Sequence, residues 1–402
     1  MRVCLVCPYD LAVPGGVNKH VLSLARELRA AGDEVDVIGP ATPGPNLGPH
    51  VTGFPGVVSI RANESDNRLG LLVSPMRVRR FIRQRRFDVV HVHEPLAVPF
   101  PSYVVWASGR PARVCTFHRY TEREGMLTRT ARLALGSHLR AFDAAIAVSP
   151  QAAQYARVSW SRPLSVVPNG VDVKFFAPSA RTPGTRAVRL LFVGQWMDRR
   201  KGLSVLVDAL QRLQAGGVEA TLDVVGNGGP EPRDLERRTP GAFPRGVTVH
   251  GIVSEEELRR LLHAADVFVA PSLGCESFGM VLLEAMAAGC AVVCSDIDGY
   301  RSVTSKEGAW LVPAGDPVKL GEALAALAVA PERRHRMGNS NLGAARQYDW
   351  RAIAARIREE YARASASETA RRRRQPASLA ESWPQDRPPR PDAADAGPVR
   401  SR

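Results

Sequence analysis

An apolar run that reads as a buried strand, followed by an amphipathic stretch that reads as a helix, recurs along this chain, and the whole alternation occurs twice. In the first series the strand candidates are Val3–Cys7, Glu34–Gly39, Val57–Ile60, Asp88–His93, Arg113–Phe117, Ala144–Val148 and Leu164–Pro168. Helices are expected at Val17–Ala31, Arg77–Arg86 and Ala97–Ala107. A stretch rich in Pro, Gly, Ser, Thr and Arg, 178–187, breaks the pattern. It restarts with strands at Val188–Gly194, Ala220–Gly226, Val247–Gly251, Val267–Pro271 and Ala291–Ser295, and helices at Gly202–Gln214, Glu255–Ala265 and Met280–Ala288. Strands that are apolar on both faces belong to a parallel sheet covered by helices. The predicted fold class is therefore α/β, with two Rossmann-like doubly wound domains, 1–177 and 188–348, joined by the linker 178–187 and facing a central cleft.

A last helix is expected over 349–366. The remainder, 367–402, holds Arg371–Arg374 with many Pro, Ala, Asp and Ser residues. It lacks the apolar residues for a core and is expected to be a disordered basic tail. The six cysteines include Cys4 and Cys7 in the first strand. No second cysteine pair completes a zinc site, so they read as reduced apolar strand residues, which fits a cytoplasmic protein. Met1–Pro8 is too short for a signal peptide, and no run approaches the roughly 20 apolar residues of a membrane span.

The formal charge of +14 over 402 residues calls for an acidic partner. Nucleic acid is disfavoured, because no helix-turn-helix, RNA-recognition or zinc-finger pattern is present. Phosphate-bearing substrates and an anionic membrane remain. The stretch Pro75–Phe87 sets Arg77, Arg79, Arg80 and Arg83 among Met76, Val78, Phe81 and Ile82. A basic amphipathic helix of this kind suits a membrane surface, although a solvated surface helix is the plainer alternative.

The most specific local pattern is Ser272–Gly289. Glu276 and Glu284 stand eight residues apart, with Ser277, Phe278, Gly279, Met280 and Val281 between them. A glycine-bearing loop entering a helix offers free backbone N–H groups to a phosphate. The glutamates suit hydroxyl groups, so the stretch reads as a site for a diphosphate flanked by two polyols, a nucleotide-sugar. Gly15 and Gly16 lie at another strand-to-helix turn and suit phosphate in the same way, or merely a tight turn. Arg199-Arg200-Lys201 offers point charge for a diphosphate. His118, at a strand end, can bond a sugar hydroxyl and a developing charge. His91 and His93 resemble a metal pair, but cleft-lining or structural use is preferred, with Glu94 facing away and no metal expected.

Together these motifs resemble glycosyltransferase family 4, the retaining GT-B group. They comprise Pro14-Gly15-Gly16-Val17, His93-Glu94-Pro95, Thr116-Phe117-His118, Pro168-Asn169-Gly170-Val171-Asp172 and Glu276-Ser277-Phe278-Gly279. The likeness covers nearly all of 1–361 and is closest to members that move mannose from GDP-mannose to a phosphatidylinositol lipid on the cytoplasmic side of the plasma membrane. It implies catalytic roles for His118, Lys201 and Glu276. Donor contacts are implied from Gly15, Gly16, Gln195, Arg200, Lys201, Val253 and Glu276 through Val281, with Glu284 on the ribose. It implies acceptor contacts from Tyr9, Asn18, Asn63, Arg68 and His118. No cofactor is required beyond the nucleotide-sugar, with Mg2+ as a companion of the diphosphate. The chain departs from the pattern at Gln195, where the family carries a diphosphate-gripping arginine, at Arg119, where a small hydroxylated residue is usual, and at Asn18, usually Gln. These departures leave open a UDP-sugar donor, a different lipid or soluble acceptor, or a non-catalytic nucleotide-sugar-binding protein. Oligomeric state is not legible.

Overall fold

A computed structural model describes residues 1–44, 46–62, 65–109, 111–120, 138–178, 187–226 and 244–374. In the first domain the strands are β1 (Arg2–Val6), β2 (Glu34–Pro40), β3 (Val51–Phe54), β4 (Val58–Ala62), β5 (Ser65–Leu69), β6 (Val89–His93), β7 (Ala112–Phe117), β8 (Ala144–Ala147) and β9 (Ser165–Val166). Seven of them form one parallel sheet in the order β3-β2-β1-β6-β7-β8-β9. The second domain has β10 (Val188–Val193), β11 (Ala220–Val225), β12 (Val247–Gly251), β13 (Val267–Ala270), β14 (Ala291–Ser295) and β15 (Ala309–Val312), in the parallel order β12-β11-β10-β13-β14-β15. Both sheets therefore follow the doubly wound order, reversing between β1 and β6 and between β10 and β13. Ligands of such sheets bind outside the strand C-termini at that reversal. This is the GT-B architecture.

Three expectations change. The candidate Val57–Ile60 is not part of the parallel sheet. It falls in an antiparallel hairpin of β4 with β5. The sheet edge is instead Val51–Phe54, which the apolar pattern does not announce because it carries Thr52 and Gly53. Gly53 is needed there, since a Cβ would lie 2.5 Å from the Ala41 Cβ. The last helix runs over Trp350–Arg374, so 367–374 continue it. Ala, Glu and Arg are strong helix formers and need no buried face to extend an existing helix. Residues 375–402, and 179–186 of the linker, lie outside the described residues.

The final helix belongs spatially to the first domain. Its Ile353, Ile357, Tyr361 and Ala364 are buried in one cluster with Val3, Leu5, Val89 and Val114. Arg358 Nε reaches Asp33 at 3.0 Å, and Tyr361 OH bonds His91 Nδ1 at 2.8 Å. The crossing point is fixed by backbone: Val171 N–H donates to Tyr348, and Trp350 N–H donates back to Val171. Gly170 is required at this crossing because a Cβ would sit 2.4 Å from the Trp350 ring. The two domains thus share a second connection.

Candidate active site

The first-domain wall of the cleft begins after β1. Asp10 is buried and accepts hydrogen bonds from Ala12 N–H, Thr42 N–H and Thr42 Oγ1, while Arg68 Nε stands 2.9 Å from its Oδ2. Burial alone would raise its pKa, but the Thr42 and Ala12 bonds and the Arg68 charge override this and hold it low. Asn18 is fully engaged. Its Nδ2 donates to Asp10 O at 2.7 Å and Val13 O at 2.8 Å, and its Oδ1 accepts from the Cys7 thiol. The amide fastens this loop and has no donor left for an acceptor headgroup. Arg68 is held over the same loop, Tyr9 is half-buried beside it, and Asn63 lies outside the described residues.

The helix Gly16–Ala30 starts with no side-chain cap, leaving its first N–H groups free for a ligand. A Cβ on Gly15 would meet nothing within 4 Å, and one on Gly16 would approach only Met280 Sδ, at 3.8 Å across the cleft. The space in front of this turn is open, as a phosphate site needs.

On the second domain, Gln195 is exposed after β10, while the neighbouring Trp196 donates to Gly226 O at 3.1 Å and anchors the turn. Arg200 is clamped by Asp198, with 2.6 Å between Nη2 and Oδ2. Burial would lower its pKa, but the Asp198 bond and charge raise it, with Cys275 and Glu276 adding to the effect. Lys201 Nζ donates to Glu276 Oε1. Gly202 carries φ +71, and a Cβ there would lie 2.0 Å from Pro271 O, so the Lys201 turn and the 271–279 loop touch backbone to backbone. Gly202→Ala is expected to cost roughly 2–4 kcal/mol from left-handed strain plus overpacking and to weaken nucleotide binding. Urea denaturation and calorimetric titration measure both, and wild-type values would refute the contact's importance.

The loop to the second helix turns through Gly274, Cys275 and Gly279, all at positive φ. The helix Met280–Ala287 also starts without a side-chain cap. Its Met280 and Val281 are partly open, as is Ser277, while Glu284 is buried. Phe278 corrects the expectation for its side chain: the ring is buried against Tyr348, centroids 5.9 Å apart, so only its backbone can meet a donor. Val253 is partly buried against the same core.

The two walls meet. Lys19 Nζ, from the first domain, lies 2.6 Å from Glu284 Oε1 and 2.9 Å from Glu255 Oε1. Ser149 and Ser277 hydroxyls are 3.4 Å apart, and Gln151 donates to Asp298 O at 3.1 Å. Among the described residues Glu276 and Glu284 are each paired to a lysine and Asp198 to Arg200, an arrangement that does not fit a Mg2+ site. A Mg2+ ion would have to ride on the diphosphate.

At the floor stands an imidazole cluster. His93 Nδ1 is 2.9 Å from His118 Nε2, and His20 Nδ1 is 2.8 Å from Asn169 Oδ1. The His20 ring meets His93 and His118 edge-on at 5.2 and 4.7 Å. Burial drives His20 down to about 4, and holds His93 and His118 well below the ordinary histidine value, so these rings are neutral at pH 7. Their ring nitrogens lie within 4.8 Å of one another, near enough to share an ion, although the His93–His118 distance is that of an ordinary N–H···N bond. His91 is spent on Tyr361 and Thr116. Glu94 does not face away. Its φ of 48° turns the carboxylate back, where Oε1 accepts the N–H groups of both His118 and Arg119. It orients the His118 turn. His20 was missed entirely, though a histidine inside the buried stripe Val21, Leu24, Ala25, Leu28 is a sequence-level signal.

Arg77, Arg79, Arg80 and Arg83 are exposed on the helix Pro75–Gln84, whose Val78 and Ile82 are buried. Leu72, Met76 and Trp106 are 76%, 80% and 76% exposed, Trp106 on the helix Phe100–Ala107 that packs beside it. Among the described residues no helix is long and apolar enough to cross a membrane.

Residues 14–175 match the model described as Glycosyltransferase Family 4, and residues 187–329 that described as Glycosyl transferases group 1. The chain belongs to glycosyltransferase family 4. It is 37% identical over 370 residues to the phosphatidyl-myo-inositol mannosyltransferase of Mycobacterium leprae, covering 90% of this chain and 96% of that one. Against the Mycolicibacterium smegmatis protein of the same name the identity is 36% over 367 residues, covering 90% and 93%. Among solved structures, sucrose-phosphate synthase from Thermosynechococcus elongatus superposes with a TM-score of 0.69 at 24% identity, covering 91% of this chain and 99% of that one. Anabaena HepE in complex with UDP-glucose gives 0.71 at 17%, covering 90% and 99%. This family 4 chain is thus a glycosyltransferase, and its two facing reversal points place uncapped helix starts, Lys201 and the two glutamates around one cleft.

Proposed function

We propose that this enzyme transfers mannose from GDP-mannose, with retention, to a phosphatidylinositol-type lipid at the cytoplasmic face of the plasma membrane. The observation that carries the reading is the Lys201–Glu276 pair, a cation and a hydroxyl acceptor on the loop that enters the uncapped Met280 helix, whose Met280 approaches the open Gly15–Gly16 turn across the cleft. The sugar and acceptor are argued from the mannosyltransferase relatives. In this scheme the lipid hydroxyl attacks C1 on the face the diphosphate leaves, and the leaving phosphate takes the proton. The C1–O bond to phosphate breaks as the new C1–O bond forms. The protein supplies position and charge. Lys201, Arg200 and the N–H groups at Gly16 and at Gly279 through Val281 hold the diphosphate. Glu276 and neutral His118 hold sugar hydroxyls, Glu284 the ribose, and Val253 borders the base. Tyr9 and Arg68 face the headgroup, and the same role is proposed for Asn63 from the family resemblance alone.

Exposed Leu72, Met76 and Trp106 beside four exposed arginines support membrane docking. Each cation near an anionic leaflet contributes about 1 kcal/mol, and the apolar side chains add burial. Gln195 and Arg119 favour a second reading, a UDP-sugar donor or another acceptor. The test is transfer from radiolabelled GDP-mannose and a panel of UDP-sugars to phosphatidylinositol vesicles. Mannolipid from GDP-mannose alone is expected. Product from a UDP-sugar only, or no product on that lipid, would overturn the reading.

A further inference from the structure

We infer that Lys19 is a latch between the two domains, paired with Glu284 and displaced by the ribose of the incoming nucleotide. The inference rests on the ribose role proposed for Glu284. Glu284 is buried, with 7% of its side chain exposed, and a buried carboxylate is costly without a cation. The cation it has comes from the opposite domain. Lys19 Nζ reaches it at 2.6 Å with its ammonium 5.7 Å from the centre of the Phe176 ring, so pulling the domains apart strips Glu284 of its partner. The pair therefore favours closure before any donor is present.

A ribose diol recognised by Glu284 donates two O–H groups to the carboxylate oxygens, one of which Lys19 occupies. Lys19 has a second partner ready: Glu255 Oε1 is 2.9 Å away on a side chain that is 58% exposed. Release from Glu284 leaves the lysine paired at the rim, while the ribose hydroxyls take over the buried carboxylate. Nucleotide binding then exchanges one interdomain contact for a ligand-mediated one, and Lys19 competes with every nucleotide that enters.

The experiment is calorimetric titration of the full chain with GDP and with UDP, for wild type, Lys19→Met and Glu284→Ala, together with small-angle scattering of the ligand-free proteins. Lys19→Met is expected to tighten nucleotide binding about three- to tenfold, because the competitor is gone, and to enlarge the ligand-free radius of gyration. Unchanged or weaker binding by Lys19→Met, with Glu284→Ala losing affinity, overturns the competition. Undiminished binding by Glu284→Ala instead sinks the ribose reading. Closure is then judged by scattering alone, where an unchanged radius for Lys19→Met overturns the latch.

Discussion

Lys201→Ala is expected to lower kcat/KM by two to three orders of magnitude while leaving the fold intact. Lys201 is one of three basic groups at the strand-to-helix turn of the second domain, and its Nζ is bonded to Glu276. Gln195 provides no charge at the other edge of that turn, and Arg200 is clamped by Asp198, so diphosphate neutralisation falls heavily on Lys201. Removing one preorganised donor to developing charge typically costs about 3–4 kcal/mol, which is two to three powers of ten in rate. Alanine also strands Glu276, whose side chain is only 17% exposed, without its cation. Lys201→Ala with Glu276→Gln should therefore be less than additive, because the two side chains act as a unit. Steady-state kinetics on both substrates measure this. A loss under tenfold would mean that another cation carries the diphosphate.

The second large effect is acid destabilisation well above the carboxylate range. His20, His91, His93 and His118 are held neutral, His20 titrating at about 4 and His91 at about 3, with burial the leading cause throughout. An unfolded histidine takes up its proton near 6.5. Above that value neither state is protonated and the full stability is present. As pH falls below it, the unfolded chain gains protons that the folded chain refuses, and stability is lost until each folded value is reached. Each such group contributes up to about 1.4 kcal/mol per pH unit in that window. The urea midpoint is expected to drop steeply between pH 7 and pH 5. A flat profile there would show that these rings protonate in the folded state. Asp10 acts lower down, because its depressed pKa adds stability that is lost only below the ordinary aspartate value.

Much of the site was legible because chemistry and chain order coincide there. Glu276, Glu284, Lys201 and His118 follow strand ends, and a doubly wound sheet sends its strand ends to the cleft. Their neighbours were less legible. The alternation of side chains along a strand set Glu94 on the face opposite His91 and His93, but nothing in His-x-His-Glu-Pro announces the positive φ that brings its carboxylate to the His118 and Arg119 N–H groups. Asn18 and Phe278 carry suitable chemistry at suitable positions, yet the fold spends the first on loop backbone and the second on Tyr348. His20 sat within a helix whose periodicity shows which face is buried but not what it is buried against.

The sequence by itself determined most strands of the two parallel sheets and the residues that end them. Those properties follow from local apolar pattern and turn chemistry, which act over a few residues. Only the tertiary structure decided the partners. Lys19 reaches Glu284 across 265 positions of chain, and His91 reaches Tyr361 across 270. Such pairs are set by how whole layers pack and by where the final helix crosses back. A hydrogen bond or ion pair depends on a separation of a few ångströms, and no local pattern encodes that.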